Sequence, residues 1–288
     1  MSLPTFTTLS RLIEYRCHLH TRMPTSFLVE LPEMSNAHSA ADRKESLPAL
    51  AVHLLGTVDF DACLALQQRL VYEASGARGG PITVLICEHP ASITIGRHGS
   101  AADVQIDSAE LAARGLGVRW VNRGGGAVLH LPGQLAVYPV IPLERCGWTV
   151  GEYLARLQRG LCDAILETGC YHATLRPGRH GVWGRTGPLA VVGAAVKNWV
   201  SYFGAYVNVC PAMQLVERVV SDAACRTPMS SLLVERQQPV RMSGFRERLA
   251  RRLAESLADG RYHLHTGHPL LRSVPHSSDK TKASARAG

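Results

Sequence analysis

From residue 50 to about 257 the chain alternates short, nearly unbroken apolar runs with longer stretches of helical spacing. A run in which almost every position is apolar reads as a buried strand, whereas apolar residues three and four apart read as one stripe of a helix. Strands are expected over 50–55, where Gly56 stops the run, and over 82–87, 91–95, 117–121 and 135–141. Asp59 is placed to cap a helix that reaches Glu73, with Cys63, Leu66, Leu70 and Val71 as its stripe. A shorter helix follows over 108–114, with Asp107 or Ser108 as its cap. Thr149 and Glu152 have capping-box spacing, and the helix they open carries Leu154, Leu157, Leu161 and Ile165 on one face before Gly169 ends it. Short strands or turns are expected near 173–175 and 181–183, then a hairpin of two strands over 189–196 and 199–209. A last helix over 243–257 has Phe245, Leu249, Leu253 and Leu257 in line, and its Arg246, Arg248, Arg251 and Arg252 read as a solvated face. No internal repeat is visible. This alternation predicts an α+β protein, a mixed α/β sheet covered by helices on one side.

Outside that region the pattern fades. Residues 1–48 are expected to be a disordered extension, with a short helix around 10–15, and residues 49–260 to be the domain. Residues 261–288 are expected to form a disordered tail, rich in Ser, Lys and Ala from Ser273. With 288 residues, 46% hydrophobic and 19% charged, the chain can build one substantial core. The 31 Lys and Arg against 23 Asp and Glu give +8, spread along the chain. Interleaved aromatics and a nucleic-acid motif are missing, so the charge reads as solubility and as steering toward acidic partners, not as nucleic-acid binding. Eight cysteines, at 17, 63, 87, 146, 162, 170, 210 and 225, form no C-x-x-C pair and fit free thiols in a reducing cytosol. No run approaches the roughly 18 apolar residues of a membrane span. Glu14, Glu30 and Glu33 interrupt a targeting pattern, and a cytoplasmic protein is expected.

The stretch that carries chemistry is Arg123-Gly124-Gly125-Gly126-Ala127-Val128-Leu129-His130-Leu131-Pro132-Gly133-Gln134. Consecutive glycines let a ligand lie against backbone N–H groups, Arg123 supplies a fixed charge, His130 titrates near neutrality, and Pro132-Gly133 makes a turn. A glycine triplet alone reads as a hairpin loop, but the ordered combination points to a site for an acyl or carboxyl group.

This stretch resembles the signature R-G-G-x-x-T-x-H-x-P-G-Q of the octanoyltransferases of lipoate biosynthesis, with Val128 in the place of Thr. The resemblance extends from about Leu50 to Glu235. Leu55-Gly56-Thr57-Val58-Asp59-Phe60, Glu88-His89-Pro90 and Thr94-Ile95-Gly96-Arg97 are similar to the family's early motifs, and Glu88-His89-Pro90 reads as a strand-end turn supporting the pocket. Gly181-Val182-Trp183, Ala190-Val191-Val192-Gly193, Gly204-Ala205-Tyr206-Val207-Asn208-Val209 and Ser230-Ser231-Leu232 are similar to its later ones, in the same order. The resemblance implies the fold shared by biotin and lipoate protein ligases. It also implies protein lipoylation chemistry: octanoyl passes from octanoyl-acyl carrier protein to an enzyme cysteine as a thioester. The acceptor lysine of a lipoyl domain, in a 2-oxoacid dehydrogenase or a glycine cleavage H-type protein, then takes it. No ATP, metal or other cofactor is implied, because the thioester donor is already activated.

By the same resemblance, Arg123, Gly124, Gly125, Gly126, Ala127, Val128, Leu129 and His130 would line the octanoyl and thioester site with Val191, Val192, Gly193, Gly204, Ala205 and Tyr206. Small apolar walls suit an eight-carbon chain, worth about 0.8 kcal/mol per buried CH₂, and Tyr206 in place of a smaller residue would shorten the tunnel. His130 is open between orienting a carbonyl, accepting a proton and a structural role. The family's activating Lys falls at Pro188 here, and its nucleophilic Cys falls at Asp222 by two separate counts, from Asn208 and from Ser230. Three accounts follow. Cys225 is the nucleophile on a rearranged loop, with Lys197 or Arg226 as its activating cation; Cys210 takes that part; or the chain is a catalytically inactive homologue that binds acyl chains or lipoyl domains. An ATP-dependent ligase is a weaker reading, since such enzymes also use a lysine where Pro188 stands.

Overall fold

The computed structural model describes residues 47–76, 82–221 and 227–271, all within one unit of the chain. Residues 1–46 of the expected N-terminal extension, residues 77–81 and the Ser-, Lys- and Ala-rich end of the tail lie outside the described residues.

The order of elements is β1 (Leu50–Thr57), α1 (Phe60–Ala74), β2 (Ile82–Glu88), β3 (Ser92–Ile95), α2 (Ser108–Ala113), β4 (Gly117–Trp120), β5 (Ala127–His130) and β6 (Gln134–Val140). Then come α3 (Val150–Leu166), β7 (Gly181–Trp183), β8 (Pro188–Lys197), β9 (Val200–Asn208), α4 (Met213–Val216), α5 (Leu232–Arg236), α6 (Met242–Leu257) and β10 (Tyr262–Thr266). Seven strands form a mixed sheet in the order β10-β1-β2-β6-β9-β8-β7, and three form a small sheet in the order β4-β3-β5. In the large sheet β1 is parallel to both β10 and β2, and every later pair is antiparallel.

The expected caps form. Asp59 accepts from the N–H groups of Asp61 and Ala62, Asp107 from that of Glu110, and Thr149 and Glu152 make the reciprocal capping box of α3. Helices α3 and α6 pack on one face of the large sheet, where Leu157, Leu161, Phe245, Leu249 and Leu253 meet Val84, Ile86, Val137 and Val207. They approach so closely at Gly160 that a side chain there would meet Ser256 and Leu253.

The other face is covered as well. Cys63, Leu66 and Val71 of α1 pack against Leu85, Tyr138, Phe203 and Tyr206, so the sheet is sandwiched, not covered on one side as expected. Gln67 is buried in that interface and its carbonyl oxygen accepts the Phe203 N–H at 2.8 Å, which satisfies a strand group at a positive-φ residue. A third apolar cluster joins the small sheet to α4 through Ile93, Ile95, Leu129 and Val216.

Residues 127–130 form a strand, β5, which pairs with β3 in the small sheet, while β6 belongs to the large one. The segment after Ser231 is the short helix α5, with Ser231 as its cap. Two further expectations change. The domain does not end at 260, because β10 lies parallel to β1 and completes the sheet edge. Finally, the α6 arginines are not simply a solvated face: Arg251 and Arg252 pair with Glu167 at the end of α3, and Arg246 pairs with Glu88 at the end of β2.

Candidate active site

A cavity of about 730 Å³ lies between the glycine stretch and β8. Arg123 anchors it. Its guanidinium is 1% exposed and donates to the carbonyls of Gly124, Gly126 and Thr94 at 3.0 Å each and to the Thr94 hydroxyl at 2.9 Å. Its Nε–H has no partner among the described residues, although Arg123 lines the cavity. The charge that looked available for a ligand is therefore largely spent on holding the loop's own carbonyls.

The glycines serve close backbone packing in the same way. Gly124 N–H donates to the Ala194 carbonyl at 2.9 Å and Gly126 N–H to that of Ser221 at 3.2 Å, while Gly125 adopts φ +81°. The chain at 96–98 donates three more bonds to the stretch, from Gly96, Arg97 and His98 to Gly126, Arg123 and Gly125. A Cβ on Gly126 would lie 2.7 Å from the Ser221 carbonyl oxygen, and one on Gly193 would lie 2.6 Å from that of Gly124. Glycine is required at both positions.

His130 stands behind this wall, fully buried, with both ring nitrogens engaged. Nδ1 donates to Gln134 Oε1 at 3.1 Å, which leaves Nε2 to accept from the Thr94 hydroxyl at 2.9 Å. Gln134 in turn donates to the Asn208 side chain and to the Leu129 carbonyl. Burial, then the neighbouring His89 and Arg123, hold the His130 pKa well below its ordinary value, so the ring is neutral. His130 thus links Arg123 to Asn208 through Thr94 and Gln134, and its two nitrogens leave none for a proton transfer in the cavity.

Of the residues named from sequence, Arg123 to Gly126, Val128, Val191 to Gly193 and Tyr206 line the cavity. Ala127, Leu129, Gly204 and Ala205 are buried in the strands behind it. Gly204 is crowded against the Val137 carbonyl, so its missing side chain makes room for β6, not for a ligand. Tyr206 forms part of the floor, with its ring 5.4 Å below the Arg123 guanidinium and 4.8 Å from the His130 ring.

Pro188 lines the cavity, so the position expected to hold an activating lysine faces the site without a charge. Lys197 is not brought there. It is exposed at the end of β8, beside the turn where Asn198 and Trp199 take positive φ. Cys210 is exposed beyond β9, away from the lining residues, and burial and then the Glu88 carboxylate push its thiol up, the reverse of activation. Asp222, Cys225 and Arg226 lie outside the described residues, but Ser221 and Thr227 on either side of them both line the cavity. The cavity also takes in Arg97, His98, Arg179 and His180, residues that sequence reasoning did not single out as site residues. They come from two separate segments, and Arg97 alone fell in a motif.

The large sheet with its two helical covers is the architecture of lipoate protein ligases. It is similar to the bi-partite lipoate protein ligase of Thermoplasma acidophilum, with a TM-score of 0.56 at 18% identity over 78% of this chain and 89% of that one. Residues 59–254 match the family model described as the lipoyl protein ligase A/B catalytic domain. The chain is 35% identical to the octanoyltransferase of Geobacter metallireducens, over 75% of this chain and 97% of that protein. To the octanoyltransferase of Syntrophotalea carbinolica it is 34% identical, over 68% of this chain and 88% of that protein. The chain belongs to the lipoyl protein ligase A/B catalytic domain family, among its octanoyltransferases.

Proposed function

We propose that this protein moves octanoyl from acyl carrier protein to the lysine of a lipoyl domain, with Cys225 as nucleophile. The observation that supports the reading is the placement of Ser221 and Thr227, which flank residues 222–226 in the sequence and both line the cavity. In the first step the Cys225 thiolate attacks the carbonyl carbon of the octanoyl thioester, and the tetrahedral intermediate expels the carrier's thiolate. In the second the lysine amine attacks the enzyme thioester, giving the amide and a proton and restoring the Cys225 thiolate. No ATP is consumed, because one thioester replaces another before the amide forms.

A thiolate needs a positive field, and Pro188 supplies none. Arg97 and Arg179 on the wall, with Arg226 next to Cys225 in the chain, take the part of the absent lysine. Lys197 does not contribute from the turn. The apolar wall of Val128, Val191 and Val192 receives the acyl chain, with Tyr206 closing its inner end. Among the described residues no helix is long and apolar enough to cross a membrane.

Steady-state transfer from octanoyl-carrier protein to a purified lipoyl domain tests the reading. The wild type turns over many times and Cys225→Ala does not. A wild type that acylates no lipoyl domain, yet still binds the carrier, would make this a binding protein instead.

A further inference from the structure

Beneath the floor of the cavity, Cys63 of α1, Cys87 of β2 and His89 just after β2 bring three donor atoms within 4.8 Å of one another. We propose that they bind one zinc(II) ion, a structural site separate from acyl transfer. The Cys63 and Cys87 sulfurs are 3.9 Å apart, and the Cys87 sulfur is 3.6 Å from His89 Nε2. In a tetrahedral site with ordinary zinc–sulfur and zinc–nitrogen bonds those edges would be about 3.8 and about 3.6 Å. Two of the three edges already have nearly the spacing the ion requires, and the third, from the Cys63 sulfur to His89, is within 4.8 Å.

Two buried thiols alone would be small apolar filler. The surrounding hydrogen bonds distinguish this pair. His89 Nδ1 donates to the Val58 carbonyl at 2.7 Å, which fixes the tautomer with a lone pair on Nε2, 3.6 Å from the Cys87 sulfur; without the ion that lone pair accepts from the Tyr138 hydroxyl. Gln67, held through its carbonyl oxygen by Phe203 N–H, turns its amide N–H to the Cys63 sulfur at 3.9 Å. The Tyr138 hydroxyl donates to His89 Nε2 at 2.8 Å; zinc on that nitrogen would displace this bond and free the hydroxyl oxygen beside the fourth position.

All three donors are at most 2% exposed, so the site is closed, as structural zinc sites are. Binding releases the two thiol protons, and the two thiolates neutralise the ion, leaving no net charge in an apolar layer. The soft sulfur donors select zinc over magnesium or calcium. Bound there, the ion would tie α1 to β2 and fix the His89 ring, which lies 5.6 Å from the ring of His130.

Because the site is closed, the metal has to enter as the chain folds. The full chain is therefore produced in minimal medium with cobalt(II) as the only added transition metal, and purified without chelator. The expected result is one cobalt per chain, with thiolate-to-cobalt charge-transfer absorption in the near ultraviolet and the visible bands of a tetrahedral ion. Cys63→Ala and Cys87→Ala each abolish these bands, and Cys210→Ala keeps them. X-ray absorption on the wild-type protein, which needs no variant to fold, shows two sulfur neighbours. Folded protein without bound cobalt, bands that persist in the Cys63→Ala/Cys87→Ala double variant, or a Cys63–Cys87 disulfide in freshly purified protein would each overturn the proposal.

Discussion

Replacing Gly193 by alanine tests whether the fit between β8 and the glycine stretch is what makes the site competent. The added carbon would lie 2.6 Å from the Gly124 carbonyl oxygen and 3.3 Å from Arg123 Nη1. Carbon and oxygen in ordinary contact stand about 3.3 Å apart, so something has to give by about 0.7 Å. Neither neighbour is free to move. Gly124 is tied to Ala194 by its N–H, and the Arg123 guanidinium holds four oxygen atoms. Overpacking of this kind costs about 1–3 kcal/mol. A shift near 1 Å in a substrate-positioning loop is worth about 100-fold in rate. We therefore expect kcat/KM for octanoyl transfer to fall about 30- to 100-fold, while the urea midpoint reports a loss of about 2 kcal/mol and the protein remains folded at 25 °C. Gly117→Ala is the control, since its new carbon would meet only the end of Arg119 at 3.4 Å, and it should retain wild-type activity. If Gly193→Ala transfers octanoyl within twofold of wild type, the loop does not position the reaction as described.

Thr94→Val removes the hydroxyl between Arg123 and His130 with little change of shape; it leaves His130 Nε2 without a donor and should cost about 2–3 kcal/mol by urea unfolding. Glu235 is buried at the turn after β7, where its carboxylate accepts from Arg185 N–H at 3.1 Å, Thr186 N–H at 3.0 Å and the Thr186 hydroxyl at 2.7 Å. Burial alone would raise its pKa, but the bonds from Thr186 and Arg185 outweigh it and hold the carboxyl below its ordinary value. That stabilisation is present above the unfolded value of about 4.3 and is lost as pH falls through the folded one. Glu235→Gln should thus lower stability by about 2 kcal/mol at pH 7, and melting curves should show the gap to wild type narrowing below about pH 4. Cys210→Ala should leave transfer kinetics unchanged, because that thiol is outside the cavity and is not activated; a loss above fivefold would return it to candidacy.

Helices α1, α3 and α6 were legible because each is amphipathic over several turns: Asp59 and Thr149 cap the first two, and the Phe245 stripe marks α6, which has no side-chain cap. Strand β5 was not. It is four residues long, follows three glycines, and owes its existence to pairing with β3 some 35 residues earlier in the chain, which no local pattern records. The stripe of α1 announces a buried face without saying which side of the sheet receives it, so the two-sided cover emerged only from the contacts with Tyr138 and Phe203. Of the signature residues, Arg123 to Gly126 and Val128 line the cavity, but their tasks could not be read from the sequence. Arg123 and His130 look like ligand-binding groups in the sequence, whereas their hydrogen bonds are spent on the loop and on Thr94 and Gln134. Arg179 and His180 reach the wall from a segment with no periodicity, and only tertiary structure gathers them.

The most direct test of acyl transfer through Cys225 is intact-mass spectrometry of the full chain mixed with octanoyl-carrier protein, followed by peptide mapping. A single hydroxylamine-labile octanoyl group on the peptide containing Cys225, absent from Cys225→Ala, is the predicted result. An adduct on Cys210, one that survives Cys225→Ala, or no adduct at all where other octanoyltransferases are acylated, would contradict it.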